Sequence, residues 1–265
     1  MNIPVWEARM TPFKVIGNLY FVGTIPASAH LIDTGEGLIL LDTAYPETLY
    51  LVLQSIHELG FDPYDIKYII HSHGHIDHIG GTRALAELTG AKTVIGRGDL
   101  DYVTGDRDLT YAKELNMVFD CPFRPDILLD DGDTLTLGNT TIRAVHTPGH
   151  TEGTMSYFFD VEDHGKTYRV GTHGGVGMNS LSKEFLESYG LPFSLQDDFR
   201  KGLHQLHREH VDVFIGNHQQ QSNTVERSAK ILAGQWDAFV DPAAWPTFLD
   251  NVEAELDKLL ETEKI

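Results

Sequence analysis

The sequence is 265 residues long with 41% hydrophobic content, enough for one sizeable core, so a single domain over residues 1–265 is expected. A formal net charge of −19 argues against nucleic acid or an anionic membrane as partner, because both are bound through basic surface; a small-molecule substrate is expected, and the oligomeric state is left open. Cys121 is the only cysteine, which excludes an intrachain disulfide and cysteine-based zinc sites, so any metal must be held by His and Asp.

Residues 1–9 show no basic start followed by an apolar stretch, and no run approaches the roughly 18 apolar residues of a membrane helix. A cytoplasmic location is expected for the chain as given, and a periplasmic one only if a leader has been removed. Strands are predicted over 19–23, 29–34 and 37–42, the last two as a hairpin about Gly35-Glu36-Gly37. From Pro46, the spacing of Leu49, Val52, Leu53, Ile56 and Leu59 predicts a helix capped by Gly60. A strand over 67–70 runs into a histidine-rich segment, a short helix over 82–88 follows Gly80-Gly81, and 91–96 reads as a buried strand.

Residues 109–117 read as helical, followed by strands at 127–129, 134–137, 140–145, 154–159 and 167–171, with Gly138-Asn139 as a hairpin turn. A helix over 197–210, a β-branched strand over 211–215 and helices over 224–236 and 245–261 complete the chain. The final helix carries one apolar stripe that includes Trp245, Leu249, Val252 and Leu256. Each half puts strands before helices, which suggests two sheets face to face with helices outside.

The segment HSHGHIDHIGG, residues 71–81, sets four histidines and one aspartate within eight positions. Unpaired buried polar groups cost roughly 1–3 kcal/mol each, so such a run needs something that satisfies several nitrogens at once. A metal does so. Gly74 allows a sharp turn that lets alternate side chains converge, and the spacing suits two adjacent metals, one at His73 and His75 and one facing Asp77 and His78.

This HxHxDH string after an apolar strand resembles the motif of the metallo-β-lactamase superfamily. Two further stretches are similar to later signatures of that family: HTPGHTEGT at 146–154, with His150 in the ligand position, and VFIGNH at 213–218, with His218 at a strand end. The resemblance covers about residues 12–235 and implies an α/β (αββα) sandwich of two mixed sheets with helices outside. It also implies two Zn2+ per chain, the first on His73, His75 and His150 and the second on Asp77, His78 and His218. Asp42 matches an aspartate that braces the ligand loop, and His146 a position outside the ligand set.

Glyoxalase II enzymes and many lactonases carry a bridging aspartate after the strand that follows the second signature. Here that region, YRVGTHGGVGMN at 168–179, holds neither acid nor thiol, which is similar to the histidine-rich third subclass of metallo-β-lactamases. The resemblance therefore implies a hydrolase in which a hydroxide shared by two zinc ions opens a cyclic amide or ester, with Asp77 as the catalytic acid–base group. The alternatives are a thioesterase or lactonase of the glyoxalase II type and a non-catalytic zinc-binding module. His173 is either a seventh ligand or a structural or substrate-facing residue. His30 reads as packed in its strand, His71 as a strand-end contact, and His204, His207 and His210 as a solvated helix face.

Overall fold

The computed structural model describes residues 7–264, so the first six residues of the N-terminal reading and Ile265 lie outside the described residues. The chain forms strands β1 (Phe13–Ile16), β2 (Leu19–Phe21), β3 (His30–Asp33) and β4 (Leu38–Leu41), then helix α1 (Leu49–Glu58), β5 (Ile66–Ile70), α2 (Ile76–Ile79), α3 (Thr82–Thr89), β6 (Lys92–Gly96), α4 (Leu100–Thr104) and β7 (Ile127–Leu129). These seven strands make one sheet in chain order. Strands β8 (Thr134–Leu137), β9 (Thr140–His146), β10 (Met155–Asp163), β11 (Lys166–Thr172) and β12 (Val213–Phe214) make the second, ordered β12-β11-β10-β9-β8. Helices α5 (Lys183–Ser188), α6 (Ser194–Leu206), α7 (Thr224–Leu232) and α8 (Ala244–Thr262) complete the fold.

The layers follow from side-chain alternation. Along β10, Tyr157 and Phe159 enter the core between the sheets with Phe21, Ile39 and Val170, while Phe158 turns outward to Phe199, Leu203, Trp245 and Leu249 of α6 and α8. Strands β4 to β7 pair in parallel and are apolar on both faces; their outer side is covered by Val52 and Ile56 of α1 and Leu85 of α3. Burying each such side chain contributes roughly 1.5–3 kcal/mol. The result is the αββα sandwich of two mixed sheets.

Several sequence boundaries move. Residues 109–117 are turns rather than a helix, because Tyr111 (φ +61°) and Asn116 (φ +55°) take left-handed conformations that interrupt any helical run. Helix α6 starts at Ser194 and stops at Leu206, so His207 and His210 lie at and beyond its end. Helix α7 is cut short at Leu232, with Gly234 left-handed (φ +97°) just beyond. Strand β1 and helices α4 and α5, each six residues or fewer, are too short for periodicity to signal. Among the described residues no helix is long and apolar enough to cross a membrane.

The carboxyl ends of β5, β9, β11 and β12 point to one edge of the sandwich, since β4, β5 and β6 are parallel, β11 and β12 are parallel, and β9 and β11 flank β10 antiparallel. The four segments that leave those ends carry the histidines singled out above.

Candidate metal centre

The loop after β5 is pinned from behind. His71 donates Nδ1–H to Val94 O (2.9 Å) and accepts at Nε2 from Thr82 Oγ1 (2.6 Å), so it faces the scaffold. Asp42 accepts from Ser72 N (2.8 Å) and Ser72 Oγ (2.7 Å) and, through Oδ2, from His78 Nδ1 (2.9 Å), which gives the bracing role expected of it. Asp42 and Ala44 both sit at left-handed φ (60° and 57°), a cost of about 1–3 kcal/mol each that the surrounding bonds sustain. Gly74 is dictated by space: a Cβ there would lie 2.9 Å from Tyr102 Cβ. Helix α2 begins directly after His75 and puts Asp77 and His78 on its single turn.

His73, His75 and His150 converge so that one ring nitrogen from each lies within 4.8 Å of the others, and a carboxylate oxygen of Asp77 converges to the same limit with one nitrogen each of His73 and His78. The rings of His73 and His150 are 4.6 Å apart, those of His75 and His150 4.5 Å, and those of His78 and His218 5.0 Å. Among the described residues, the structure thus brings all six sequence-predicted residues into one cluster at the sheet edge.

The outer nitrogens explain the orientation of the rings. Nδ1 of His73 meets Gly174 O (2.7 Å), that of His150 meets Gly177 O (2.9 Å) and Ser180 Oγ (2.9 Å), and that of His218 meets Pro26 O (2.8 Å). Each carbonyl accepts the Nδ1–H, so the Nε2 lone pairs turn toward the centre, the tautomer a metal-binding imidazole needs. The glycines of 174–177 belong to this arrangement, since a Cβ at Gly175 would lie 2.3 Å from His150 Cδ2 and one at Gly177 2.7 Å from His150 Cε1. They cradle the ring of His150 rather than a phosphate.

Burial holds the imidazoles of His73 and His75 well below the usual histidine range and His150 at about 4; burial also lowers His218. These four are neutral at pH 7 and free to donate lone pairs. At His78 burial also acts downward, but the Asp77 and Asp42 carboxylates outweigh it and push the ring up to about 10. For Asp77 burial acts upward, yet His78, through charge and hydrogen bond, and then His218 hold the carboxyl far below its ordinary value.

Two features test whether this donor set fits metal ions. His73 Nε2 is buried without a hydrogen-bond partner. At the other end His78 Nε2, His218 Nε2 and Asp77 Oδ2 lie 3.2–3.4 Å from one another while both Nδ1 protons point outward, so three electron-rich atoms face one space. Without an ion, the Asp77 and Asp42 carboxylates keep a proton on His78 that satisfies this set; an ion would take that proton's place. Nitrogen and carboxylate donors of this kind suit zinc.

Sequence reading missed Asp99. This fully buried residue follows β6 and accepts from Gly74 N, Gly153 N and Thr151 Oγ1, each at 2.7 Å, tying the 71–81 loop to the 146–154 loop. Burial pushes its carboxyl up to about 7 against those three donors. An acid just past the strand parallel to β5 is the signal that could have found it, because Ile70 pairs with Val94.

The remaining histidines lie apart. His173 is buried beside Phe199 and Phe248 and its Nδ1 accepts from Gly175 N (3.2 Å); burial holds it at about 3, and it joins neither convergent group. His146 contacts Glu152 O, His30 is buried in β3 with its ring edge-on to Phe21, and His204, His207 and His210 pair with Glu253, Asp250 and Asp212 away from the cluster.

A family model described as the metallo-beta-lactamase superfamily matches residues 22–164. Among solved structures, the chain is similar to BJP-1, a subclass B3 metallo-beta-lactamase of Bradyrhizobium japonicum (29% identity, TM-score 0.89, covering 100% of this chain and 98% of that one). It is also similar to the class B3 di-zinc metallo-beta-lactamase LRA-12 from an Alaskan soil metagenome (26% identity, TM-score 0.86, 98% of each chain). A curated relative, the N-acyl homoserine lactonase of Bacillus thuringiensis, is 25% identical over 182 residues, 60% of this chain and 65% of the lactonase. The first curated relatives it matches are spanned over less than two thirds of their length, 64% in one Bacillus subtilis protein and 31% in a Burkholderia pseudomallei protein.

Proposed function

This chain belongs to the metallo-β-lactamase superfamily, and from that premise we propose that it is a dinuclear zinc hydrolase opening a cyclic amide or ester in the manner of the subclass B3 enzymes. The observation that carries the reading is the facing set of His78 Nε2, His218 Nε2 and Asp77 Oδ2, three potential metal-ligand atoms around one space with both outer ring nitrogens already bonded. His73, His75 and His150 would hold one ion, and Asp77, His78 and His218 the other. When bound, zinc supplies Lewis acidity that polarises a carbonyl and brings the pKa of water to about 7.

The chain's own residues supply the rest. Asp77 is the only carboxylate of the six. Asp77 orients the attacking water and relays a proton to the leaving nitrogen or oxygen. Asp42 and the carbonyls of Gly174, Gly177 and Pro26 fix the rings, so little reorganisation is needed as charge develops.

The test joins metal analysis with a hydrolysis panel of β-lactams, homoserine lactones and S-lactoylglutathione on zinc-loaded protein. Two zinc equivalents per chain and turnover of a lactam or lactone are expected. One equivalent in excess zinc would overturn the dinuclear centre, and a metal-loaded protein inert to the whole panel would leave a non-catalytic zinc-binding module.

A further inference from the structure

On the hydrolase reading, a substrate must occupy the space beside the six side chains. A cavity of about 720 Å³ opens from His150 and His218 and runs between residues 175–179, residues 220–223 and α8. That volume falls in the range of small-molecule sites, roughly 300–1,000 Å³. Its wall combines apolar Val176, Met178 and Phe248 with the side-chain amides of Asn179, Gln220 and Asn251.

Charge is distributed unusually for a site meant to grip an anion. Among the described residues lining the cavity, Arg227 is the one Lys or Arg, and it is already committed. Its Nη2 donates to Asp241 Oδ2 at 2.8 Å, its Nη1 donates to Ala238 O at 3.0 Å, and its guanidinium lies over the Phe239 ring at 5.8 Å. Asp241 also accepts the Ala243 N–H at 3.2 Å, at the start of α8. The chain's own carboxylate therefore occupies the corner where a guanidinium and a helix N-terminus would otherwise receive a substrate carboxylate. Glu255 adds a second negative charge to the same wall, in a chain of net charge −19.

We propose that this cavity selects substrates whose portion remote from the scissile bond is uncharged and hydrogen-bonding, and discriminates against those that carry a carboxylate there. Amide side chains offer donors and acceptors to a neutral amide, ester or hydroxyl group. They do not supply the full positive charge that offsets desolvation of a carboxylate, and Asp241 and Glu255 add like-charge repulsion.

The test compares two cephalosporins that differ only at the far end of the acyl side chain, a free carboxylate in one and its methyl ester in the other, on the zinc-loaded protein at neutral pH. The ester is expected to be preferred by about tenfold in kcat/KM, some 1.4 kcal/mol. A ratio of about three or less, on the scale where tenfold is one decade of affinity, overturns the inference while leaving the hydrolase reading intact. Turnover of neither compound, nor of a neutral N-acyl lactone run beside them, overturns both. Asp241→Asn, which releases Arg227, is expected to shift the ratio toward the acid by about fivefold, and Glu255→Gln on the exposed side of α8 by about twofold. Glu255→Gln leaves every hydrogen bond named here in place, so it reports even if Asp241→Asn fails to fold. Unchanged ratios in the folded variants also overturn the inference.

Discussion

The two ends of the histidine cluster are held by different chemistry. At one end His73 and His150 are oriented by the neutral carbonyls of Gly174 and Gly177, and burial keeps the imidazoles uncharged. At the other, His78 lies between two carboxylates, Asp42 behind it and Asp77 beside it, and is driven toward the charged state. The difference teaches where charge is handled. The carbonyl-held end is a cradle of neutral imidazoles, whereas the carboxylate-held end sets two negative charges against one ring. A buried carboxylate also serves the first end, but the bonds of Asp99 go to Gly74, Thr151 and Gly153 of the loops.

The sharpest way to break this comparison is Asp77→Asn, which keeps size and one oxygen but removes charge and proton acceptance. Turnover is expected to fall by about 10²–10⁴, beyond what lost zinc explains. Activity and zinc content on the same preparation decide it, and activity falling only in step with zinc would reduce Asp77 to a ligand.

Asp42→Ala removes the carboxylate that bonds His78 directly, whereas it reaches the carbonyl-held end only through Ser72. Zinc affinity is expected to weaken by about 10–100-fold for one of two ions, measured by competition with a chelator. Equal weakening of both ions would mean that the two ends are not separately supported.

Asp99→Asn probes the brace between the loops. An amide presents donor hydrogens to the Gly74, Gly153 and Thr151 donors, so destabilisation of about 1–3 kcal/mol is expected in urea unfolding. The pH dependence has a definite sign. Because burial raises the folded carboxyl from 3.8 to about 7, its contribution to stability is greatest below 3.8 and is lost as pH rises toward about 7. The gap between parent and variant should therefore be wider at the acid end of that window than above it, and a gap that widens upward would show Asp99 held ionised.

The smallest effect is expected for His204→Ala, outside the cluster. His204 is exposed and pairs with Glu253, so zinc content should be unchanged and stability should move by less than about 1 kcal/mol. Loss of zinc from this variant would place a metal on α6 and undo the separation between the sheet-edge histidines and the helix histidines.

Much of the cluster was legible because its information is local. His73, Gly74, His75, Asp77 and His78 lie within six positions, and the strand before them is apolar, so turn, ligand types and spacing are read together. The two-sheet architecture was legible from strands that precede helices in each half. The helix expected over 109–117 failed because its apolar spacing carries no signal of the left-handed Tyr111 and Asn116.

What the sequence by itself determined is the kind of chemistry: a chain with one cysteine and histidines packed after a core strand can hold metal through imidazole and carboxylate alone. What only the tertiary structure decided is how those groups are aimed and what surrounds them. Asp99 lies 25 residues from Gly74 and 54 from Gly153, Pro26 lies 192 residues from His218, and Arg227 is paired with Asp241, 14 residues on, in the cavity wall. The physical reason is that spacing along the chain fixes only contacts within a turn or two. The tautomer of a buried imidazole and the free charge in a cavity depend on partners that folding brings from other segments of the chain.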